Sequence, residues 1–257
     1  MLEFEKYSAS GNDFLITDRF PSDLRGDVFA RALCDRHLGI GADGLVIVHP
    51  HHQYAYQWEF YNSDGSKAAM CGNASRCVGL YAYLHALAPR KHCFLSGAGG
   101  IGVEVLQTSY PYWVRSNLGK YKVLGEFGEW SLFDTGVPHL IALLHSKEEF
   151  ETFEIQTLQK LREQYDANVN IAYCDGEIYR IKTYERGVEG ITLACGTGMA
   201  SLVALLNERK VMQEKVWIVP PMNERLEFGL VEGEIFFQGR VSRIARCHIN
   251  LQDFGNI

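Results

Sequence analysis

Two segments half a chain apart repeat one design, and any fold must place both. The first runs Tyr61-Asn62-Ser63-Asp64-Gly65-Ser66-Lys67-Ala68-Ala69-Met70-Cys71-Gly72-Asn73. The second runs Tyr184-Glu185-Arg186-Gly187-Val188-Glu189-Gly190-Ile191-Thr192-Leu193-Ala194-Cys195-Gly196-Thr197-Gly198. Each starts at a tyrosine, crosses a polar turn with glycine, and reaches Cys-Gly ten or eleven residues later. An apolar run fit for a buried helix follows each, Ala74 to Ala88 and Met199 to Leu206. A helix apolar nearly all round is wrapped on most sides, as a helix surrounded by sheet would be. The repeat therefore predicts an α/β chain in two similar halves, each carrying one thiol at the start of a buried helix.

The remaining segments fit that frame. Leu2 to Tyr7 alternates as a half-buried strand, and Phe14-Leu15-Ile16 begins a second. Asp27 is placed as the N-cap of a helix through Phe29, Ala30, Leu33 and Cys34, closing near Gly39. Leu45 to Val48 and Trp58 to Tyr61 read as strands, and Glu149 to Tyr165 as one helix. Asn168 to Tyr173 enters a strand, Asp175-Gly176 signals a hairpin, and Tyr179 to Thr183 leads to the second thiol. Short strands close the chain at Val216–Val219, Leu226–Leu230, Ile235–Gln238 and Ile244–Ile249. The boundary between the halves is placed near Asn117, although no Pro/Ser linker marks it.

Several function classes fall away. A length of 257 residues allows one large domain or two ordinary ones with a substantial core. The net charge of −6 and the lack of any Lys/Arg run argue against nucleic acid or an anionic membrane as partner. No apolar run reaches membrane-span length and Met1 to Lys6 is no signal-peptide core, so the chain reads as cytoplasmic. Seven cysteines without a secretory signal make structural disulfides improbable; there is no Cys-x-x-Cys pair, and the six-residue gap from Cys71 to Cys77 matches no common zinc motif. His49, His51 and His52 have no carboxylate or thiol beside them and read as an exposed loop. Gly97-Ala98-Gly99-Gly100-Ile101-Gly102 fits the letters of a dinucleotide fingerprint, but Val103-Glu104-Val105-Leu106 after it is strand-like, so it reads as a β-turn.

A single cysteine in such a chain is ordinarily a core residue, and Cys34, Cys77, Cys93, Cys174 and Cys247 are read so. The repeated pair is different. At a helix N-terminus the unpaired N–H groups and the positive dipole end favour a thiolate, and the same N–H groups can hold a carboxylate. One activated thiol would suit a hydrolase. Two, one per half, suit inversion of a stereocentre, with one removing a proton from carbon and the other returning a proton to the opposite face.

Five stretches together resemble the diaminopimelate epimerase family: Phe4 to Phe14, with Gly11-Asn12-Asp13; Gly39-Ile40-Gly41-Ala42-Asp43-Gly44; Tyr61 to Asn73; Gly136-Val137-Pro138-His139; and Glu185-Arg186-Gly187 to Gly198. The resemblance implies two pseudo-symmetric domains, each a curled mixed β-sheet around a central helix, with the active site in the cleft between them. Residues 1–116 plus about 246–257 would carry Cys71, and residues 117–245 would carry Cys195. It implies no cofactor and no metal, the interconversion of LL- and meso-2,6-diaminopimelate for lysine and cell-wall synthesis, and a homodimer. Cys71 and Cys195 would be the acid/base pair, titrating as a couple. His139 and Glu185 would assist proton transfer or bind the reacting amino group. Gly72-Asn73 and Gly196-Thr197 would hold the reacting carboxylate by backbone N–H groups. Asn12, Asn62, Asn170 and Arg186 would grip the distal end of the substrate, the arginine clamping its carboxylate. Gly44, Val137 and Ile191 depart from residues common in relatives (Gln, Asn and Glu), and lack those polar groups. Two other readings stay open: a racemase of the same fold acting on proline or hydroxyproline, and a binding protein or single-thiol hydrolase.

Overall fold

A computed structural model of the chain describes residues 1–250, and divides it into two compact units. The first comprises Met1–Ser116 with the segment from Arg240, and the second comprises Asn117–Gly239. The return to the first unit thus begins at Arg240, while residues 251–257 lie outside the described residues.

In chain order the first unit contains β1 (Leu2–Ala9), β2 (Asn12–Thr17), α1 (Gly26–Cys34), β3 (Gly44–His49), β4 (Gln57–Asn62), α2 (Gly72–Leu84), β5 (Lys91–Ser96), β6 (Gly99–Gln107) and the greater part of β7 (Tyr112–Gly119), whose last three residues belong to the second unit. β1 pairs β2 antiparallel, β2 pairs β3 parallel across α1, and β3 pairs β4 antiparallel. β4 then pairs β5 parallel across α2, and β5, β6 and β7 form antiparallel neighbours. The four residues Leu45 to Val48 of β3 are all at most 4% exposed, which requires cover on both faces of the sheet. Val46 and Val48 join the cluster around α2, whereas Leu45 and Ile47 join the cluster around α1.

The second unit repeats this order. It contains β8 (Lys122–Phe127), β9 (Trp130–Asp134), β10 (Pro138–Leu144), α3 (Lys147–Thr152), α4 (Ile155–Tyr165), β11 (Asn168–Asp175), β12 (Ile178–Glu185), β13 (Gly190–Ile191), α5 (Gly196–Glu208), β14 (Lys215–Val219) and β15 (Leu226–Val231). A long strand, β16 (Glu234–Ile249), pairs β15 through its first residues and β1 through its last. β9–β10 are antiparallel, β10–β11 parallel across α3 and α4, β11–β12 antiparallel, and β12–β14 parallel across α5. That succession of pairings is the one found from β1 to β5, so each unit is a mixed sheet with a crossover helix on each face. α5 matches α2, and both are buried along most of their length.

Three local readings are corrected. The helix expected over Glu149–Tyr165 is two helices, because Phe153 and Glu154 are both extended and Phe153 turns into the core against Trp130. Ser146 caps the first of them, accepting from the Glu149 N–H at 3.1 Å. Asp27 lies inside α1 rather than capping it: Gly26 already belongs to the helix, and the Asp27 carboxylate is spent on Arg25 and Arg31. The two strands expected at Ile235–Gln238 and Ile244–Ile249 are one, since Gly239 and the residues after it stay extended. The glycine-rich stretch from Gly97 is the turn of the β5–β6 hairpin, and Ser96 Oγ donates to the Gly99 carbonyl there at 2.8 Å. Among the described residues no helix is long and apolar enough to cross a membrane.

Candidate active site

Cys71 and Cys195 occupy equivalent places. Each is extended, at φ −145° and −125°, and directly precedes the first residue of its buried helix. Their carbonyls accept the first helical bonds, from Ser75 N–H at 2.9 Å and Met199 N–H at 3.0 Å. Neither cysteine side chain caps its helix, so the amides of Gly72-Asn73 and of Gly196-Thr197 are N-terminal donors of the kind that bind carboxylates. In both helices a serine is tied back three residues, Ser75 to the Gly72 carbonyl and Ser201 to the Gly198 carbonyl, each at 2.7 Å. Ser75 also bonds Ser116 at 2.6 Å.

Around α2 the first unit builds a continuous polar network. Arg76, fully buried, donates to Ser10 Oγ at 2.6 Å and to Asn73 Oδ1 at 2.8 Å. Asn73 Nδ2 donates to Asn12 Oδ1 at 2.8 Å, and Asn12 Nδ2 donates to Asp43 Oδ2 at 2.9 Å. Asp43 and Asp13 share Arg36, and Lys6 pairs with Asp13 at 2.9 Å. Two predicted residues, Asn12 and Asn73, are therefore brought together with their amide orientations fixed. Asn62 stands apart from them: it is exposed, and its Nδ2 donates to Ser66 Oγ at 3.0 Å within its own turn. Sequence reasoning missed Asp43, Asp13 and Arg36, although Asp43 lies within the quoted Gly39–Gly44 loop. Gly44 has no room for a larger residue, since a Cβ would lie 2.6 Å from the Phe60 ring and 2.7 Å from the Tyr61 carbonyl.

In the second unit Cys195 Sγ lies 3.4 Å from Thr197 Oγ1, which lies 2.9 Å from His139 Nε2. Thr135 Oγ1 donates to the Thr197 carbonyl at 2.9 Å. His139 is fully buried, and its other ring nitrogen meets Asn170 Nδ2 at 3.1 Å. Burial pushes this imidazole down to about 3, outweighing the Asn170 hydrogen bond, so the ring is neutral at physiological pH. Asn170 is fully buried, with its Nδ2 on the Leu140 carbonyl and His139 and its Oδ1 accepting from Thr183. Asn168, two residues earlier, was missed: its Oδ1 accepts from the Arg186 N–H at 2.8 Å, and its Nδ2 faces His139 and the Pro138 carbonyl. The Arg186 guanidinium bonds Asp166, through the carbonyl at 2.9 Å and the carboxylate at 3.1 Å. Glu185 is half-buried, and desolvation raises its carboxyl above the ordinary range, opposed by the Thr192 hydroxyl beside it. Val137 is partly exposed, and its carbonyl accepts from the Thr135 N–H at 3.3 Å. Ile191 packs against the cluster around α3 and α4.

The arrangement supplies a thiol beside helix-terminal amides in each unit. Residues 4–124 match the family model described as diaminopimelate epimerase. A diaminopimelate epimerase of Helicobacter pylori (strain HPAG1) is 43% identical, the match covering 98% of this chain and 98% of that protein. The chain belongs to the diaminopimelate epimerase family. A diaminopimelate epimerase of Campylobacter jejuni subsp. doylei is also 43% identical, over 97% of this chain and 99% of that protein. Among solved structures the fold is similar to a probable proline racemase of Agrobacterium radiobacter K84 (TM-score 0.73, 14% identity, covering 100% of this chain and 95% of that one). It is similar also to a hydroxyproline epimerase of Agrobacterium vitis (TM-score 0.65, 12% identity, covering 95% and 91%). At those identities the likeness is one of fold.

Proposed function

We propose that this chain is a cofactor-independent amino-acid epimerase that interconverts LL- and meso-2,6-diaminopimelate by proton transfer between two thiols. The observation that carries the substrate and reaction is identity of 43% across 98% of the chain with a curated diaminopimelate epimerase. In this scheme one cysteine acts as thiolate and removes the α-proton, and the electron pair left on carbon delocalises into the substrate carboxylate. The other cysteine, as thiol, delivers its proton to the opposite face. The two sulfurs have then exchanged roles, and one turnover in the reverse direction restores them. Helix-terminal N–H groups of Gly72-Asn73 and Gly196-Thr197 would stabilise the charge developing on the carboxylate, the task a pyridoxal ring performs elsewhere.

Asn12, Asn62, Asn170 and Arg186 are the residues proposed for the distal end of the substrate, and Glu185 for the reacting amino group. Asn12 and Asn73 enter the scheme pre-oriented by Asp43 and Arg76, which lowers the ordering needed on binding. His139 is proposed to assist proton transfer or to bind the reacting amino group, and its Nε2 lies 2.9 Å from Thr197 Oγ1, itself 3.4 Å from Cys195 Sγ. A cytoplasmic homodimer of pseudo-symmetric halves completes the reading. A proline-type racemase is the runner-up, and the distal polar set of Asn12, Asn62, Asn170 and Arg186 is what disfavours it. A single-thiol hydrolase would leave the second cysteine at a helix start without a use.

The direct test is Cys71→Ser and Cys195→Ser. Each variant is expected to lose epimerisation of diaminopimelate while keeping the wild-type fold by circular dichroism. Wild-type rates in both variants would remove the thiols from the reaction.

A further inference from the structure

The turn from Glu185 to Gly190 links β12 to β13 and carries Arg186. It is closed by a hydrogen bond from the Glu189 N–H to the Glu185 carbonyl at 2.8 Å. Glu189 sits at φ 55°, and Asp166, the C-cap of α4, at φ 46°. Both conformations are left-handed, which is costly for a residue with a side chain and points to a constraint worth explaining. The constraint is a crossed pair of contacts. The end of α4 gives Arg162 to the Glu189 carboxylate at 2.7 Å, and the turn gives Arg186 to the Asp166 carboxylate at 3.1 Å. Arg162 and Asp166 are four residues apart, so they stand on one side of the helix end.

These contacts fix the turn atom by atom. Glu189 Oε1, already on Arg162, also accepts from the Gly187 N–H at 3.1 Å, which pins the residue after Arg186. The Arg186 N–H is itself held by Asn168 Oδ1 at 2.8 Å. At the guanidinium both bonds to Asp166, to its carbonyl at 2.9 Å and to its carboxylate, fall on Nη1. Among the described residues nothing hydrogen-bonds to Arg186 Nε or Nη2. Nε–H and one Nη2–H lie parallel along one edge of the planar group, the edge that grips a carboxylate by two bonds at once. Arg162 is 21% exposed against 36% for Arg186, so the Arg162–Glu189 pair is the better sheltered from solvent and the firmer of the two.

We propose that the end of α4 is a seat that aims Arg186: Arg162 fixes the turn through Glu189, Asp166 holds Nη1, and the Nε–Nη2 edge is thereby presented to the distal carboxylate of the substrate. Arg162, Asp166 and Glu189 are positioning residues, and only Arg186 meets the substrate. An arginine on a free loop loses its rotamer freedom when the ligand binds, and the seat removes most of that loss beforehand. The inference rests on Arg186 as the distal clamp of the reading above.

The test separates aim from activity. Glu189→Ala releases Gly187 and Arg162 together, and KM for LL-diaminopimelate is expected to rise about tenfold with kcat within about twofold of wild type. Glu189→Gln keeps an oxygen for both donors and is expected to bring KM back to within about twofold. Arg186→Lys loses the two-bond edge, and adding Glu189→Ala to it is expected to raise KM no further. An unchanged KM in Glu189→Ala, a loss confined to kcat, or losses that multiply in the double variant would overturn the proposal. NMR of enzyme labelled with nitrogen-15 arginine reads the seat without turnover. The Nη signals of Arg186, assigned by their loss in Arg186→Lys, are expected to be separate in the wild type, where Asp166 hinders rotation of the guanidinium. They are expected to merge in Asp166→Ala, which removes the carboxylate and disfavours the left-handed cap. The Glu189 series and the wild-type spectrum decide the matter even if Asp166→Ala fails to fold. Merged signals in the wild type overturn the proposal even in an active epimerase. Separate signals in an enzyme that exchanges no α-proton of diaminopimelate sink the epimerase reading and leave the seat standing.

Discussion

Gly198→Ala is a sharp probe of the second unit because two effects of similar size oppose each other there. Gly198 is the third residue of α5, where alanine is intrinsically better than glycine by about 1 kcal/mol. Against this, the new Cβ would meet Asn170 Oδ1 at 2.6 Å, Thr183 Oγ1 at 2.7 Å and Cys195 Cβ at 3.4 Å. The first two atoms are buried and bonded to each other at 2.8 Å, so neither can yield without breaking that bond. Overpacking of this kind costs about 1–3 kcal/mol, and the lost hydrogen bond about 1 kcal/mol more. The clash wins, for a net loss of about 1–3 kcal/mol once the helical gain is deducted. At about 2–4 °C per kcal/mol for a chain of this size, Tm should fall by roughly 2–12 °C. Gly196→Ala is the control, since nothing lies within 4 Å of a Cβ at that position, and its Tm should not fall. Differential scanning calorimetry of the two variants decides the matter. A Gly198→Ala protein as stable as the wild type would refute the packing argument and, with it, the fixed placement of Asn170.

Other expectations concern separate parts of the molecule. Glu5 is 1% exposed; burial raises its carboxyl, but the Tyr7 hydroxyl, Arg246 and His85 outweigh that and hold it below the ordinary carboxylate range. A folded-state value below the unfolded one stabilises the fold above the unfolded value of about 4.3, and that contribution is lost as pH falls through the folded value. Urea titrations should therefore show Glu5→Gln less stable than wild type by about 1–3 kcal/mol at pH 7, with the gap closing in acid; a gap independent of pH would contradict this. Asp43→Asn keeps the size of the side chain. Its NH2 group must face either Arg36 or the two donors Asn12 Nδ2 and the Asp13 N–H, so in both orientations the carboxylate that holds Asn12 and Arg36 together is lost. kcat/KM for diaminopimelate should fall at least about tenfold with Tm nearly unchanged, and an unaltered kcat/KM would free Asn12 from its assigned orientation. Leu202→Ala, at a fully buried position of α5, should cost about 2–5 kcal/mol by calorimetry, and a loss below about 1 kcal/mol would mean that the core around α5 collapses to fill the gap.

Much of this was legible in the sequence because it rests on patterns that are local. Cys-Gly followed by an apolar run announces a buried helix start, and both helices begin at the glycine after the cysteine. Alternation and continuous apolar runs located β1, β3 and β11, and the Asp175-Gly176 hairpin needed only its turn residues. What failed depended on tertiary context. Phe153 breaks a helix because its ring is wanted in the core, which helical periodicity does not reveal. Gly239 stays extended because strand partners before and after it hold the chain straight. Asn168 and Asn170 have the same chemistry and differ only in what surrounds them. Their interior roles follow from the parallel register that sets His139 beside Asn168 and Ile141 beside Asn170, and no local pattern encodes it. Asp43 and Asp13 meet because β2 and β3 run in parallel from neighbouring starts.

The central claim is two-thiol inversion of diaminopimelate, and α-proton exchange in deuterated water tests it most directly. Purified enzyme under reductant, without added cofactor, would be offered LL-diaminopimelate, proline and lysine side by side, with deuterium at the α-carbon followed by NMR. Deuterium is expected to enter diaminopimelate as inversion proceeds, and to enter neither proline nor lysine. Inversion without exchange, or exchange with proline in place of diaminopimelate, would contradict the account.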